Sequence, residues 1–376
     1  MSQPRRFQPP PYPYDRLDPL KVLAAGHDGG LVDLSVGTPC DPPSAAVVAA
    51  LAASGTEAGY PTSIGSPGLR EAASGWLNRR FGVDVDSSHV AACVGTKEFV
   101  ASVPHLLRLR YPEKDTVLYP AVSYPTYAMG ALLAGCRAVP VAVDGTWRLD
   151  LSSIADDDAA RALCLWVNTP ANPTGAVDDL SLPAAWGRTH GVPVFSDECY
   201  VEFTWTGPGH TILEQGIDGV VGVHSLSKRS NMAGLRAGFY AGDGDLVRYL
   251  SEVRKHAGLM VPGPVQLAAG VALEDDVHVE EQRQRYRERL DLLRAAFVEA
   301  GVDVPAPEGT FYLWVPAPDG DAWAFAERLA KEAGVLVSPG EFYGPLGATH
   351  VRVAVVQPTV RLELAARRLR GSVVRR

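Results

Sequence analysis

The stretch from His224 to Phe239 reads His-Ser-Leu-Ser-Lys-Arg-Ser-Asn-Met-Ala-Gly-Leu-Arg-Ala-Gly-Phe. It follows the apolar run 220–223 and offers Ser225, Ser227, Lys228 and, eight residues past the lysine, Arg236. A lysine at the end of a buried strand is costly to keep charged, so its pKa falls and its amine gains nucleophilicity. Serine hydroxyls and a planar, two-pronged guanidinium are natural partners of a phosphate. The chemistry expected of this turn is therefore imine formation beside a phosphate grip.

Pyridoxal phosphate is the cofactor that needs both, and other segments carry groups that suit it. Asn168-Thr-Pro-Ala-Asn172-Pro-Thr-Gly175 compresses two proline turns into eight residues and offers Asn172 as a neutral amide donor for a phenolate oxygen, with a cis bond allowed at Pro173. Asp197 follows the apolar run 192–195; a carboxylate buried there needs a cation, and a protonated pyridine nitrogen is an apt one. Tyr200, three residues on, reaches the phenolate side of the same ring. Gly95-Thr96-Lys97 ends a strand and opens a helix, where free backbone amides attract an anion; alone this is an ordinary capped turn. Tyr124, in Ser-Tyr-Pro-Thr-Tyr, can stack on a planar ring or simply pack.

These groups need a scaffold that brings them to one place. Apolar residues 69, 72, 73, 76, 77 and 81 recur at helical spacing. Strand-like runs then lie at 90–94, 116–119, 138–143, 162–167, 193–196, 220–223 and 238–241, with helices expected over 97–109, 125–135 and 180–190. Strands separated by helix-length segments imply crossovers and an α/β fold built on a mostly parallel seven-stranded sheet. In such sheets ligands bind beyond the carboxyl ends of the strands. Gly95, Tyr124, Asn172, Asp197 and Ser225 all fall at or just after such ends.

Beyond residue 275 the pattern changes to a smaller α+β unit. It comprises a long helix over 278–300 with a charged face read as solvated, the segment 309–315, a helix over 321–333, strands near 335–338 and 350–356, and a terminal helix from about 358. The division expected is an N-terminal arm with part of the small domain over 1–35, a large cofactor-binding domain over 36–275 and a small domain over 276–376. The arm is proline-rich with Phe7, Tyr12 and Tyr14 between the prolines, so it is extended and expected to pack on the body or on a second subunit. Short helices are expected at 18–26 and 43–53.

A chain of 376 residues exceeds one ordinary core, and a net charge of −8 argues against a nucleic-acid groove. Cysteines 40, 93, 136, 164 and 199 have no metal-ligand spacing and read as reduced thiols of a cytoplasmic protein; no metal is expected. Arg5 and Arg6 lead into prolines and not into an apolar stretch, so no signal peptide is expected, and no run is long enough to span a membrane.

Taken in order and spacing, these motifs resemble fold-type I pyridoxal-phosphate enzymes, specifically class I/II aminotransferases, over nearly the whole chain. The family's Ser-x-Ser-Lys…Arg-x-Gly signature stands at Ser225, Ser227, Lys228, Arg236 and Gly238, its Asn-Pro-Thr-Gly loop at Asn172 to Gly175, and its Asp-x-x-Tyr pair at Asp197 and Tyr200. The resemblance implies that Lys228 forms the imine and shuttles the proton, and that Asp197 binds the pyridine nitrogen. Asn172 and Tyr200 would serve the phenolate and Tyr124 the ring face. Thr96, Lys97, Ser225, Ser227 and Arg236 would hold the phosphate. It further implies that Tyr60 serves the neighbouring subunit of a homodimer with shared sites, and that Arg352, in His-Val-Arg-Val-Ala, clamps the substrate α-carboxylate with Gly37 and Asn172 beside it.

Segments 33–39, 95–98, 224–228, 254–262 with 264–266, and 339–344 resemble actinobacterial succinyldiaminopimelate aminotransferases of lysine biosynthesis. That implies amino transfer between N-succinyl-diaminopimelate and 2-oxoglutarate, with Arg254, Lys255 and Arg16 as candidates for the distal carboxylate. Another aminotransferase specificity, aspartate or broad, or a carbon-sulfur lyase would share the same ring-holding residues. A regulator would need a DNA-binding module, for which the segment before residue 30 has no room.

Overall fold

The computed structural model describes residues 7–371. Arg5 and Arg6 lie outside them. Twelve strands are present among the described residues: β1 Val32–Asp33, β2 Val90–Cys93, β3 Thr116–Pro120, β4 Arg137–Val141, β5 Ala162–Asn168, β6 Val194–Asp197, β7 Val220–Ser225, β8 Gly238–Gly242, β9 Tyr312–Pro316, β10 Val335–Leu336, β11 Ser338–Pro339 and β12 His350–Ala354. Seven of them form one sheet in the order β2-β8-β7-β6-β5-β3-β4, parallel except for β8, which runs antiparallel to both neighbours.

The sequence makes this sheet for a physical reason. β5 (Ala-Leu-Cys-Leu-Trp-Val-Asn) is buried along its whole length, as a parallel strand covered on both faces must be. Leu165 and Val167 join one core cluster with Leu118, Val194 and Val220, while Cys164 and Trp166 join another with Val117, Phe195 and Tyr240. The helix Pro67–Phe81 starts on a Ser66 cap that accepts from Leu69 N–H at 3.3 Å and stops at Gly82 in the left-handed region, φ 68°. Such a cap is worth about 1 kcal/mol. Its apolar side buries Leu69, Ala72, Ala73, Trp76 and Leu77, as their spacing predicts.

A third core cluster holds Leu17, Leu20, Val32 and Leu34 together with Tyr286, Leu293, Phe297, Leu313, Phe325 and Leu362. Here lies the antiparallel sheet β11-β12-β9. The expected strand over 335–338 is in fact two. β10 pairs in parallel with β1, and β11, one residue later, pairs with β12, so the run feeds two sheets. The long helix spans Val277–Glu299 and buries Tyr286, Leu290, Leu293 and Phe297. Its charged face is not wholly solvated: Arg289 is buried and forks onto Asp41 at 2.6 and 2.9 Å. Two further helices, Gly244–His256 and Gly263–Glu274, occupy a stretch where no helix is expected above.

No helix among the described residues is long and apolar enough to cross a membrane.

Candidate active site

Register brings the reactive groups to one edge. Ser225, the last residue of β7, lies opposite Gly238 of β8, which lies opposite Cys93 of β2; Asn168 of β5 is level with Asp197 of β6. Because the parallel strands all end here, the loops that follow them converge. A cleft of ≈690 Å³ opens above that edge. Lys228, Asp197, Tyr200, Asn172, Tyr124, Thr96, Lys97, Ser225, Ser227, Arg236, Gly37 and Arg352 all line it. Tyr60 does not; it is fully exposed on its own chain.

Lys228 stands in the short helix Leu226–Arg229 that follows β7. Its Nζ donates to the Gly37 carbonyl at 2.5 Å, and burial pushes the ammonium down to about 8. Asp197 is 6% exposed, and burial raises its carboxyl from the ordinary value even though Tyr127 Oη donates to Oδ2 at 2.8 Å and Cys199 N–H donates to Oδ1 at 3.3 Å. The Lys228 charge acts on this carboxylate without a direct ion pair, and a pyridinium beside it would complete the pairing.

Asn168 braces both neighbours: Nδ2 donates to the Asp197 carbonyl at 2.9 Å, and Oδ1 accepts from Asn172 N–H at 2.8 Å. The Thr169-Pro170 and Asn172-Pro173 bonds are both cis.

The anion cup is built from Gly95, Ser225, Ser227 and Arg236. Gly95 has φ 77°, and a Cβ on it would collide with the Arg236 guanidinium, so the guanidinium lies against the turn that opens the helix Thr96–Arg110. Ser225 Oγ accepts from Ser227 N–H at 3.1 Å. Arg236 itself takes a left-handed φ of 57°, an unusual backbone for a non-glycine residue. Backbone amides, hydroxyls and a guanidinium brought close by a glycine turn suit a phosphate.

Across the cleft Arg352 NH1 donates to Asn172 Oδ1 at 2.9 Å, and NH2 donates to the Ser35 carbonyl at 2.6 Å and to Tyr14 Oη at 3.1 Å. Its guanidinium lies 4.2 Å from the Tyr312 ring centre. Tyr312 Oη also shares a hydrogen bond of 2.9 Å with Tyr200 Oη, so in this structure Tyr200 faces Tyr312. A Cβ on Gly37 would strike the Tyr312 hydroxyl.

Sequence reasoning missed Tyr127, Asn168, Tyr14 and Tyr312. Tyr127 and Asn168 were within reach, since both belong to the motifs read above. Tyr14 and Tyr312 carry no local motif. Tyr12 and Tyr14 of the arm line the cleft of their own chain, with the Lys97 ammonium 5.4 Å from the Tyr12 ring centre and 5.7 Å from that of Tyr124. Of the proposed distal cations, Arg254 is already engaged. It is buried and forks onto Glu98 at 2.8 and 2.6 Å. Lys255 is exposed and pairs with Glu252, and Arg16 pairs with Glu341 beside the Trp323 ring.

An amine lowered by burial, a buried carboxylate without a direct ion pair, and hydroxyls, amides and a guanidinium on one edge of an α/β sheet suit pyridoxal phosphate. Residues 30–369 match the family model for class I and II aminotransferases. The 4-dedimethylamino-4-oxo-anhydrotetracycline transaminase OxyQ of Streptomyces rimosus is 43% identical over 96% of this chain and 99% of its own length. An LL-diaminopimelate aminotransferase of Desulforudis audaxviator is 35% identical, over 97% of this chain and 96% of that one. Among solved structures, a probable N-succinyldiaminopimelate aminotransferase of Thermus thermophilus superposes with a TM-score of 0.86 at 31% identity, over 95% of this chain and 99% of that one. The chain belongs to the class I and II aminotransferases, which depend on pyridoxal phosphate.

Proposed function

We propose that this aminotransferase moves an amino group between N-succinyl-LL-2,6-diaminopimelate and 2-oxoglutarate, in lysine and diaminopimelate biosynthesis. The observation that carries an α-amino acid as substrate is Arg352: a buried guanidinium hydrogen-bonded to Asn172 and aimed across the cleft from Lys228. A planar fork of this kind fits an α-carboxylate in two-pronged fashion. The LL-diaminopimelate and succinyldiaminopimelate relatives support the substrate class.

When bound, pyridoxal 5′-phosphate supplies a carbonyl for amines and an electron-withdrawing ring that stabilises negative charge at a substrate α-carbon. The chain's residues supply the rest. Arg236, Ser225, Ser227 and the Thr96 turn hold the phosphate. Asp197, oriented by Tyr127 and Asn168, would hold the ring nitrogen and keep it protonated. Asn172 Nδ2 and Tyr200 Oη, the latter hydrogen-bonded to Tyr312 Oη in this structure, would serve the phenolate, and Tyr124 would cover one ring face. Lys228, whose ammonium burial lowers to about 8, would be the base that accepts and returns the proton of the substrate α-carbon.

Lys97, at the rim beside Tyr12 and Tyr124, is assigned the distal carboxylate in addition to the phosphate turn read from the sequence. Residues 276–376, with the 1–35 segment, act as the part that closes on residues 36–275. In a homodimer the fully exposed Tyr60 reaches the partner subunit's cleft.

A second reading is favoured by the tetracycline transaminase relative at 43% identity, whose name gives it a substrate with a ring ketone. Single-turnover spectroscopy with N-succinyl-LL-diaminopimelate, L-glutamate, L-aspartate, an aromatic amino acid and cystathionine separates the readings. Conversion of the cofactor by the first two supports the proposal. Inertness to the diaminopimelate derivative, with conversion by glutamate, removes it and leaves the ring ketone to be tested as acceptor of the loaded amine. Release of pyruvate and a thiol from cystathionine would mark a lyase.

A further inference from the structure

Trp147 has an unusual backbone for a bulky residue, with φ 67°. It sits in the hairpin that follows β4, where Val143 and Leu149 form an isolated antiparallel bridge. The Asp144 carboxylate fixes this hairpin by accepting from Thr146 N–H at 2.7 Å and from Arg148 N–H at 3.0 Å. The hairpin follows the large sheet, yet Val143 and Trp147 pack against the core cluster that contains the small one.

The Trp147 ring stands edge-on to Trp314, 5.9 Å between centres, and to His350, 5.1 Å between centres. Trp314 and His350 are themselves stacked at 5.0 Å and 5°. Register explains why that matters. Arg352 of β12 is paired with Trp314 of β9, and His350 precedes Arg352 by two, so all three project from one face of the small sheet. Tyr312, under the Arg352 guanidinium, projects from that face as well, two residues before Trp314. The hairpin therefore touches the same face that carries the cleft's guanidinium.

The next residue extends the connection. Arg148 NH2 forks onto Glu308 at 2.6 and 2.8 Å, Glu308 Oε2 also accepts from Val177 N–H at 2.9 Å, and Arg148 Nε donates to the Val177 carbonyl at 3.1 Å. Gly309 N–H donates to the Gly175 carbonyl at 2.9 Å. The Asn-Pro-Thr-Gly loop, which holds Asn172, is thus tied to the segment leading into β9. Thr310, in that segment, is another non-glycine residue in the left-handed region, with φ 68°. Strained backbone persists where surrounding contacts hold it in place.

We propose that Trp147 is a positioning residue for substrate binding: through His350 and Trp314 it sets where β12 presents Arg352 over Asn172. The inference rests on the reading of Arg352 as the carboxylate clamp. It predicts that losing the ring loosens the amino acid and leaves the cofactor alone.

The test uses full-length holoenzyme carrying Trp147→Gly or Trp147→Asn, both compatible with the left-handed backbone, beside Trp147→Phe and Arg352→Ala. Half-saturation by an amino-acid substrate that converts the wild-type cofactor, the maximal conversion rate, the visible cofactor band and Tm are measured for each. Trp147→Gly and Trp147→Asn are expected to raise half-saturation about tenfold, with the maximal rate held within about twofold, the band unchanged and Tm no lower than wild type. Trp147→Phe is expected to recover most of the affinity. Unchanged half-saturation in the Gly and Asn variants while Arg352→Ala weakens binding would overturn the inference and spare the clamp. A fall in Tm or loss of the band accompanying the weaker binding would also overturn it, as general destabilisation. Unchanged half-saturation in Arg352→Ala would remove the clamp on which the inference stands.

Discussion

The two sides of the cleft are built differently. On the large-sheet side Lys228, Asp197, Asn168 and Ser225 are fixed by strands of one continuous sheet, each within three residues of a strand end. On the other side Arg352 is held by Tyr14, Ser35 and Tyr312, which come from the arm, the segment after β1 and a neighbouring strand. In the proposed reading the first side holds a cofactor that stays, and preorganisation serves it. In the proposed reading the second meets a substrate that must enter and leave, which suits groups carried on a separate set of elements. The difference predicts that damage to the first side shows in the cofactor, whereas damage to the second shows in substrate affinity.

The largest effect expected is on the first side. Lys228→Ala should abolish the lysine-bound cofactor band and reduce kcat/KM by on the order of 10⁴-fold or more, read by spectrophotometry and steady-state assay. The same lysine gives a pH signature. Because burial lowers it to about 8, the neutral amine dominates above that pH, so cofactor capture by the apoenzyme should rise with pH below about 8 and level off above it. A capture rate still rising steeply past pH 10 would mean an ordinary exposed lysine.

Arg352→Ala comes next. It should raise KM for the amino acid about 100-fold, equivalent to about 2.7 kcal/mol, while the cofactor band stays intact. Loss of the band instead would move Arg352 to the cofactor side and collapse the comparison.

The smallest effect belongs to Tyr127. Replacing it by Phe removes the 2.8 Å donor to Asp197 and should weaken cofactor affinity about tenfold without a change in substrate KM once the site is saturated. A shift in KM alone would place Tyr127 on the substrate side.

How much of this was legible in the sequence follows the same division. The parallel sheet could be read because its strands are continuous apolar runs, and the large-sheet side because Ser225 to Arg236, Asn168 to Gly175 and Asp197 to Tyr200 are compact motifs. The other side was opaque. Tyr14, Ser35, Tyr312 and Arg352 meet only through tertiary packing, and no spacing along the chain links residue 14 to residue 352. Arg254 illustrates the reverse error: a cation proposed for the substrate is buried against Glu98, an ion pair that no local pattern announces. Trp147 could not have been expected in the left-handed region, where glycine or asparagine is the usual occupant. The 335–338 run failed for another reason, since two residues suffice for each of two sheets and periodicity cannot divide a run so short.

The most direct test of the account is a stopped-flow half-reaction of the holoenzyme with N-succinyl-LL-diaminopimelate or L-glutamate and no 2-oxo acid present. The account predicts full conversion of the visible band to the aminated cofactor with both donors, and its return on adding 2-oxoglutarate. An unchanged band with every α-amino acid offered would contradict it.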